Sequence, residues 1–93
     1  MDILAKLQKV KDELKQEFGI EEFALFGSYA RGEEKEDSDI DIAILKMEKK
    51  NFFKRLKAKE FLEKYLSKKV DIGYFDSIRP IIKKRIKQDM IYV

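Results

Sequence analysis

Two aspartates separated by a single residue are the first groups in the chain that point to chemistry. Asp39 and Asp41 flank Ile40 at the start of an apolar segment that continues to Leu45. Side chains alternate along a β-strand, so both carboxylates would lie on one face, where they repel each other and raise each other's pKa. Two carboxylates aimed at a common point suit a hard divalent cation such as magnesium.

A third acidic residue lies in a later apolar segment. Asp71 is flanked by Val70 and Ile72, and a carboxylate in such a strand is costly if it is buried without a partner. Pairing of the two strands in one sheet would bring Asp71 beside Asp39 and Asp41. Three carboxylates can hold two metal ions ~3.5–4 Å apart, which stabilise the attacking and leaving oxygens of a displacement at phosphorus.

A glycine and a serine precede the first two aspartates. Gly27 lacks a Cβ, so the backbone there can approach a phosphate closely, and Ser28 offers a hydroxyl where a short helix would begin. Arg31 lies one helical turn further on, where it either contacts phosphate or pairs with one of the nearby acids. Gly32 is interpreted as the end of that helix. These residues predict a binding site for the phosphates of a nucleoside triphosphate.

Each of these features also has an ordinary structural explanation. A Gly-Ser pair is commonly a turn, the segment 39–41 can begin a loop, and Asp71 can pair with Lys69 across a bend. What distinguishes them is their order along the chain. The run Gly27-Ser28-Tyr29-Ala30-Arg31-Gly32, then five residues, then Ser38-Asp39-Ile40-Asp41, resembles the signature of the DNA polymerase beta nucleotidyltransferase superfamily in its minimal branch.

The resemblance covers nearly the whole chain. Val70-Asp71-Ile72 matches the third acid of the family, and Ile91-Tyr92 matches its closing apolar segment. It implies that Asp39 and Asp41 bind the nucleotide-bound and catalytic metals, two magnesium ions with manganese as an alternative. Asp71 would join the catalytic metal and assist deprotonation of the acceptor, and Gly27 and Ser28 would bind the triphosphate.

The same resemblance implies a function. Minimal members are encoded with a small helical partner of the HEPN type, a ribonuclease toxin, and act as antitoxins by adenylylating one of its tyrosines. The chain is therefore expected to transfer AMP from ATP to a partner protein. The alternative is a binding module that neutralises its partner by association alone. RNA binding is a weaker option because no interleaved aromatic motif is present, and direct nucleic-acid binding is not expected.

Composition narrows the chemistry further. The 93 residues predict a single domain, 1–93, and they contain no Cys and no His, which excludes thiol and imidazole nucleophiles and disulfides. No apolar run approaches the ~20 residues that cross a bilayer, so the protein is expected in the cytoplasm and not in a membrane.

Charge is distributed unevenly along the sequence. Residues 1–45 carry 6 basic and 12 acidic side chains, whereas residues 46–93 carry 15 basic and 6 acidic side chains. A thin core at this length makes a partner or a homo-oligomer plausible.

The elements that must position these residues alternate between helix and strand. Apolar periodicity and capping residues predict four helices: over 2–18, from Ser28 as N-cap to Arg31, from Asn51 to about Leu66, and from Asp76-Ser77 onward with Pro80 in the first turn. Strands are predicted over 22–27, 39–45 and 70–75, and the tail 90–93 could add a fourth. This order predicts an α/β or α+β fold, a small mixed sheet flanked by helices.

Two apolar groups lie outside this pattern of packing. Phe52, Phe53 and Leu56 project opposite the apolar stripe of their helix, so they form either a docking surface or a contact with a neighbouring helix. The last helix carries an apolar face of its own, which consists of Ile78, Ile81, Ile82 and Ile86.

Overall fold

The computed structural model describes residues 2–93, which form a four-stranded mixed sheet. The strands are β1 (Ile20–Phe26), β2 (Ile40–Met47), β3 (Val70–Tyr74) and β4 (Ile91–Tyr92), in the spatial order β3-β2-β1-β4. β1 runs antiparallel to β2 and β4, whereas β2 and β3 are parallel. The predicted α+β class with a small mixed sheet is confirmed.

Within residues 2–93, five helices accompany the sheet: α1 (Ile3–Lys9), α2 (Lys11–Phe18), α3 (Ser28–Arg31), α4 (Phe52–Leu66) and α5 (Pro80–Asp89), with a 3-10 turn at Phe75–Ser77. The prediction of one helix over 2–18 is wrong, because the chain bends at Val10. The Val10 N–H bonds the Leu7 carbonyl at 3.2 Å, and its φ and ψ of −105° and 9° leave the helical region. The bend lets α1 and α2 follow the sheet while both keep their apolar stripes buried.

One face of the sheet carries the hydrophobic core. Alternate residues of β2, Ile40, Ile42 and Ile44, are buried there together with side chains from α1, α2 and α4. Asn51 caps α4 as predicted, since its side-chain oxygen accepts a hydrogen bond from the Lys54 N–H at 3.1 Å. The residues between these isoleucines, which include Asp41, therefore face the other side of the sheet.

Side chains of α4 close the outer edge of β3. Glu63 accepts a hydrogen bond from the Val70 N–H at 3.0 Å, and Arg55 donates to the Ile72 carbonyl at 3.0 Å. Both backbone groups point away from β2, so they would otherwise be free to pair with another strand. The edge strand that carries Asp71 is thus held to α4 by polar contacts as well as by packing.

Two groups of apolar side chains remain at the surface. Phe52, Phe53 and Leu56 are exposed, Phe53 to 72%, so their burial against a neighbouring helix, one of the two interpretations of the sequence, is wrong. α5 has no buried residue, and Ile81 and Ile82 of its apolar face are 75% and 45% exposed. Nowhere within residues 2–93 is there a helix with both the length and the apolar character needed to cross a membrane.

Candidate active site

The three aspartates lie together because β2 and β3 are parallel and in register. The Cα atoms of Asp41 and Asp71 are direct partners across the two strands, and Asp39 precedes Asp41 by two positions, immediately before β2 begins. Residues at such positions share a face of the sheet. This face is opposite the one that packs against α4, so the three carboxylates remain accessible.

Electrostatics at this point disfavour negative charge. Partial burial raises the pKa of Asp41 above its ordinary value, the negative charges of Asp71 and then Asp39 raise it further, and the positive charge of Arg31 lowers it. No Lys or Arg forms an ion pair with any of the three aspartates within the part of the chain that the structure describes. A bound cation would remove this repulsion and stabilise the ionised form of Asp41.

The chemistry of this donor set fits a divalent cation, although the side chains are not gathered around one point. No group of three or more acidic side chains among residues 2–93 is placed to hold a metal ion as it stands. Two observations support these aspartates as ligands of a cation. The Cα atoms of Asp41 and Asp71 are in register, and the carboxylates repel one another. A cation would draw carboxylate oxygens toward it, and oxygen ligands are those that magnesium prefers.

Gly27 forms the turn that ends β1, directly beside Asp41. Its backbone has φ 75° and ψ −154°, a conformation that is open in practice only to glycine. A Cβ built on Gly27 would collide with the Asp41 carboxylate and would lie 3.0 Å from its carboxyl carbon. Glycine is therefore required twice over, by its dihedral angles and by the close approach of the carboxylate.

Ser28 and Arg31 are the ends of the short helix α3. Ser28 is its first residue and Gly27 its N-cap, so the prediction of Ser28 as the cap is wrong by one position. The Arg31 guanidinium lies 3.2 Å from a Glu33 carboxylate oxygen and 4.0 Å from one of Asp89. The structural pairing predicted as one option for Arg31 is thus present, and the positive charge of Arg31 also lowers the pKa of Asp41.

A cleft of about 500 Å³ opens between the Gly27 turn and α5. Phe26, Gly27 and Arg31 form one wall, and Ile82, Arg85 and Ile86 contribute to the other. Sequence reasoning assigned α5 only an apolar face and missed its place beside the site. Its basic residues next to that face were the available signal, but the position of a helix across a sheet is set by long-range packing.

Together these elements place the glycine turn and the Arg31 guanidinium beside Asp41, on the face of the sheet that also carries Asp39 and Asp71. Carboxylates can hold a metal ion, and the turn admits a phosphate where Arg31 can neutralise its charge. The combination is suited to reactions at a phosphorus atom that carries several negative oxygens.

Comparisons with known proteins agree with this chemistry. The profile of the nucleotidyltransferase domain family matches residues 7–93. The protein adenylyltransferase MntA of Thermococcus cleftensis is 40% identical over 83 residues, which cover 89% of this chain and 84% of that protein.

Solved structures are similar in fold. One is described as a provisionally assigned minimal nucleotidyltransferase, with a TM-score of 0.79, 27% identity, and coverage of 97% of this chain and 92% of that one. Another is the MNT antitoxin of Shewanella oneidensis in complex with a tri-AMPylated HEPN toxin, with a TM-score of 0.67, 21% identity, and coverage of 99% and 71%. Because its sequence is only 21% identical, the Shewanella oneidensis structure shows a similarity of fold alone.

Proposed function

This chain belongs to the nucleotidyltransferase domain family, and on that premise we propose that it transfers AMP from ATP to a tyrosine hydroxyl of a small helical HEPN-type protein. The enzyme would then act as the antitoxin of that protein. The observation that carries the proposal is the register of β2 and β3, which sets Asp41 beside Asp71 and next to the Gly27 turn.

The relatives support the protein acceptor. The Thermococcus cleftensis relative is named a protein adenylyltransferase, and the Shewanella oneidensis antitoxin is bound to an AMPylated HEPN toxin. An acceptor carried on a second protein is consistent with both relatives.

Asp39, Asp41 and Asp71 are the residues that would hold two magnesium ions, with manganese as an alternative. Bound ions of this kind neutralise charge on the triphosphate and orient its α-phosphorus for attack. Gly27 and Ser28 would seat the phosphates, because no Cβ blocks the backbone there and the serine offers a hydroxyl. Arg31 would face the same oxygens with its guanidinium.

The transfer itself exchanges one phosphorus–oxygen bond for another. The tyrosine oxygen bonds to the α-phosphorus of ATP, the bond between that phosphorus and the bridging oxygen to the β-phosphorus breaks, and pyrophosphate leaves. Asp71, exposed at the start of β3, would accept the phenolic proton and pass it to solvent. Asp41 lies deeper, where partial burial raises its pKa, and would serve as a ligand.

The exposed group Phe52, Phe53 and Leu56 is the proposed docking surface for the partner. It lies at the start of α4, which follows the end of β2 opposite to the end that carries Asp41. Contacts there would anchor a partner without occupying the site. The same separation favours the second candidate function, in which the chain silences its partner by association alone.

The test is transfer of label from ATP to the HEPN-type protein encoded beside this one, with magnesium present. Asp41→Asn removes the central carboxylate with little change in shape, and Asp37→Asn is the control because Asp37 lies exposed in the preceding loop. We expect metal-dependent labelling by the wild type and the control, and none by Asp41→Asn. If variants that transfer no label still silence the partner, association alone is supported.

A further inference from the structure

The cleft between the Gly27 turn and α5 is larger than three phosphates require. At about 500 Å³ it lies within the range of ~300–1,000 Å³ that is typical of small-molecule sites. It adjoins the site of the carboxylates, because two of its lining residues neighbour Asp41: Phe26 is the cross-strand partner of Asp41, and Gly27 lies against the Asp41 carboxylate. A ligand held at the aspartates therefore has an immediate path into this cleft.

The α5 wall presents both apolar and cationic groups. Ile82, Arg85 and Ile86 are spaced three and four residues apart, so they share one face of the helix, and all three line the cleft. Phe26 faces them from the end of β1. The neighbouring Ile81 and Lys84 are exposed and do not line the cleft. The cleft is thus lined by part of α5 only, and Ile81 and Lys84 offer neighbouring positions outside its lining.

The two guanidinium groups of the cleft differ in their surroundings. Arg31 is engaged by carboxylates of Glu33 and Asp89. Arg85 forms no ion pair with any residue in the described range 2–93. An unengaged guanidinium at the mouth of a cleft is a strong donor for phosphate oxygens, which accept two of its N–H groups at once.

We propose that α5 is one wall of the nucleotide site, with Arg85 as a second phosphate-binding guanidinium opposite Arg31, and with Phe26, Ile82 and Ile86 in contact with the nucleoside. This assignment rests on the proposed nucleotidyl transfer. It adds a second phosphate contact, together with apolar residues that would select a nucleotide over a bare polyphosphate. It also gives a role to the exposed isoleucine at position 82, which the core does not use.

The test measures the affinity of two probes in the presence of magnesium: a non-hydrolysable ATP analogue and inorganic tripolyphosphate. The variants are Arg85→Gln with Lys84→Gln as its control, and Ile82→Ser with Ile81→Ser as its control. The controls remove one positive charge and one isoleucine side chain from adjacent exposed positions outside the cleft. All four side chains are exposed, so the fold should tolerate every change.

We expect Arg85→Gln to weaken both probes about tenfold, as the loss of one charge-assisted contact does, and Lys84→Gln to leave both within about twofold. Ile82→Ser should weaken the ATP analogue several-fold and leave tripolyphosphate unchanged. If Arg85→Gln and Ile82→Ser both match their controls while the wild type binds the analogue, this inference is overturned and the proposed function stands. If the wild type binds neither probe, both are overturned.

Discussion

Gly27 and Asp41 are packed so closely that the glycine hydrogen faces the carboxylate where any other residue would place a Cβ. The contact joins the turn proposed to seat phosphate to the carboxylate proposed to hold metal. It also fixes their relative position through the backbone, since Phe26 and Asp41 are paired across β1 and β2. The two halves of the site are therefore built as one unit.

Replacing Gly27 by Ala should abolish activity by displacing the Asp41 carboxylate. The matched control is Gly32→Ala, because Gly32 has a similar φ of 71° but nothing within 4 Å of its Cβ position. Gly32→Ala carries the strain of the left-handed helical region, about 1–2 kcal/mol. Gly27→Ala adds the clash with Asp41 to a combination of φ and ψ that is open in practice only to glycine. Only Gly27→Ala should reduce AMP transfer, by at least ~100-fold as expected for a misplaced reactive group. Equal activity of the two variants would contradict the assignment.

Asp41→Asn should stabilise the protein in the absence of metal. The folded-state pKa of Asp41 is raised, so the folded chain binds this proton more tightly than the unfolded chain does. Stability then falls as the pH rises from the ordinary carboxyl range through the raised pKa, and the ionised group remains a cost at neutral pH. The Asn variant lacks this cost.

We therefore expect a higher melting temperature for Asp41→Asn at neutral pH in the presence of a chelator. The difference from the wild type should shrink on acidification, as Asp41 becomes protonated in the folded state. Thermal melts across a pH series, with Asp37→Asn for comparison, provide the measurement. A lower melting temperature for Asp41→Asn at neutral pH would mean that the repulsion is absent.

Glu63→Ala should destabilise the edge strand that carries Asp71. The change removes the acceptor of the Val70 N–H and leaves that group at the partly buried edge of the sheet. A loss of about 1–2 kcal/mol is expected, or roughly 4–16 °C in melting temperature for a chain of this size. Glu60→Ala, an exposed position on the same helix, should change stability by less than about 0.5 kcal/mol. Similar melting temperatures for the two variants would show that the hydrogen bond between Val70 and Glu63 contributes nothing to stability.

Phe53→Ser should weaken binding of the HEPN-type partner without weakening binding of nucleotide. Phe53 is 72% exposed at the start of α4, so the substitution removes apolar surface from the proposed docking surface and none from the core. Partner affinity by calorimetry and nucleotide affinity in the same preparation separate the two effects. Unchanged partner affinity would place the interface elsewhere, and loss of both affinities would indicate a folding defect.

Local patterns in the sequence predicted the elements that carry the site. The Gly27-Ser28 turn, the stop at Gly32 and the cap at Asn51 each depend on a few adjacent residues, and the structure has helices that begin or end at these points. Alternation along β2 set Asp41 on the face opposite the buried isoleucines. The nearness of Asp71 followed from strand pairing, for which α4 supplies the crossover that a parallel pair needs.

What the sequence did not reveal depends on contacts between distant segments. The bend at Val10 leaves the apolar stripe unbroken and involves no Gly or Pro, so no local signal marks it. α5 has the periodicity of a packed helix, yet none of its residues is buried. α5 lies beside Gly27 because it connects β3, at one edge of the sheet, to β4 at the other edge. An apolar stripe shows that a helix has a face to cover, but not what covers it.

The most direct test of nucleotidyl transfer follows the two ends of ATP separately. The enzyme is incubated with magnesium and the HEPN-type partner, once with ATP labelled at the α-phosphate and once with ATP labelled at the γ-phosphate. Attack at the α-phosphorus beside Asp41 predicts a partner labelled only by the first, with the second label recovered in pyrophosphate. A partner labelled from the γ-phosphate, or labelled by neither, would contradict the account.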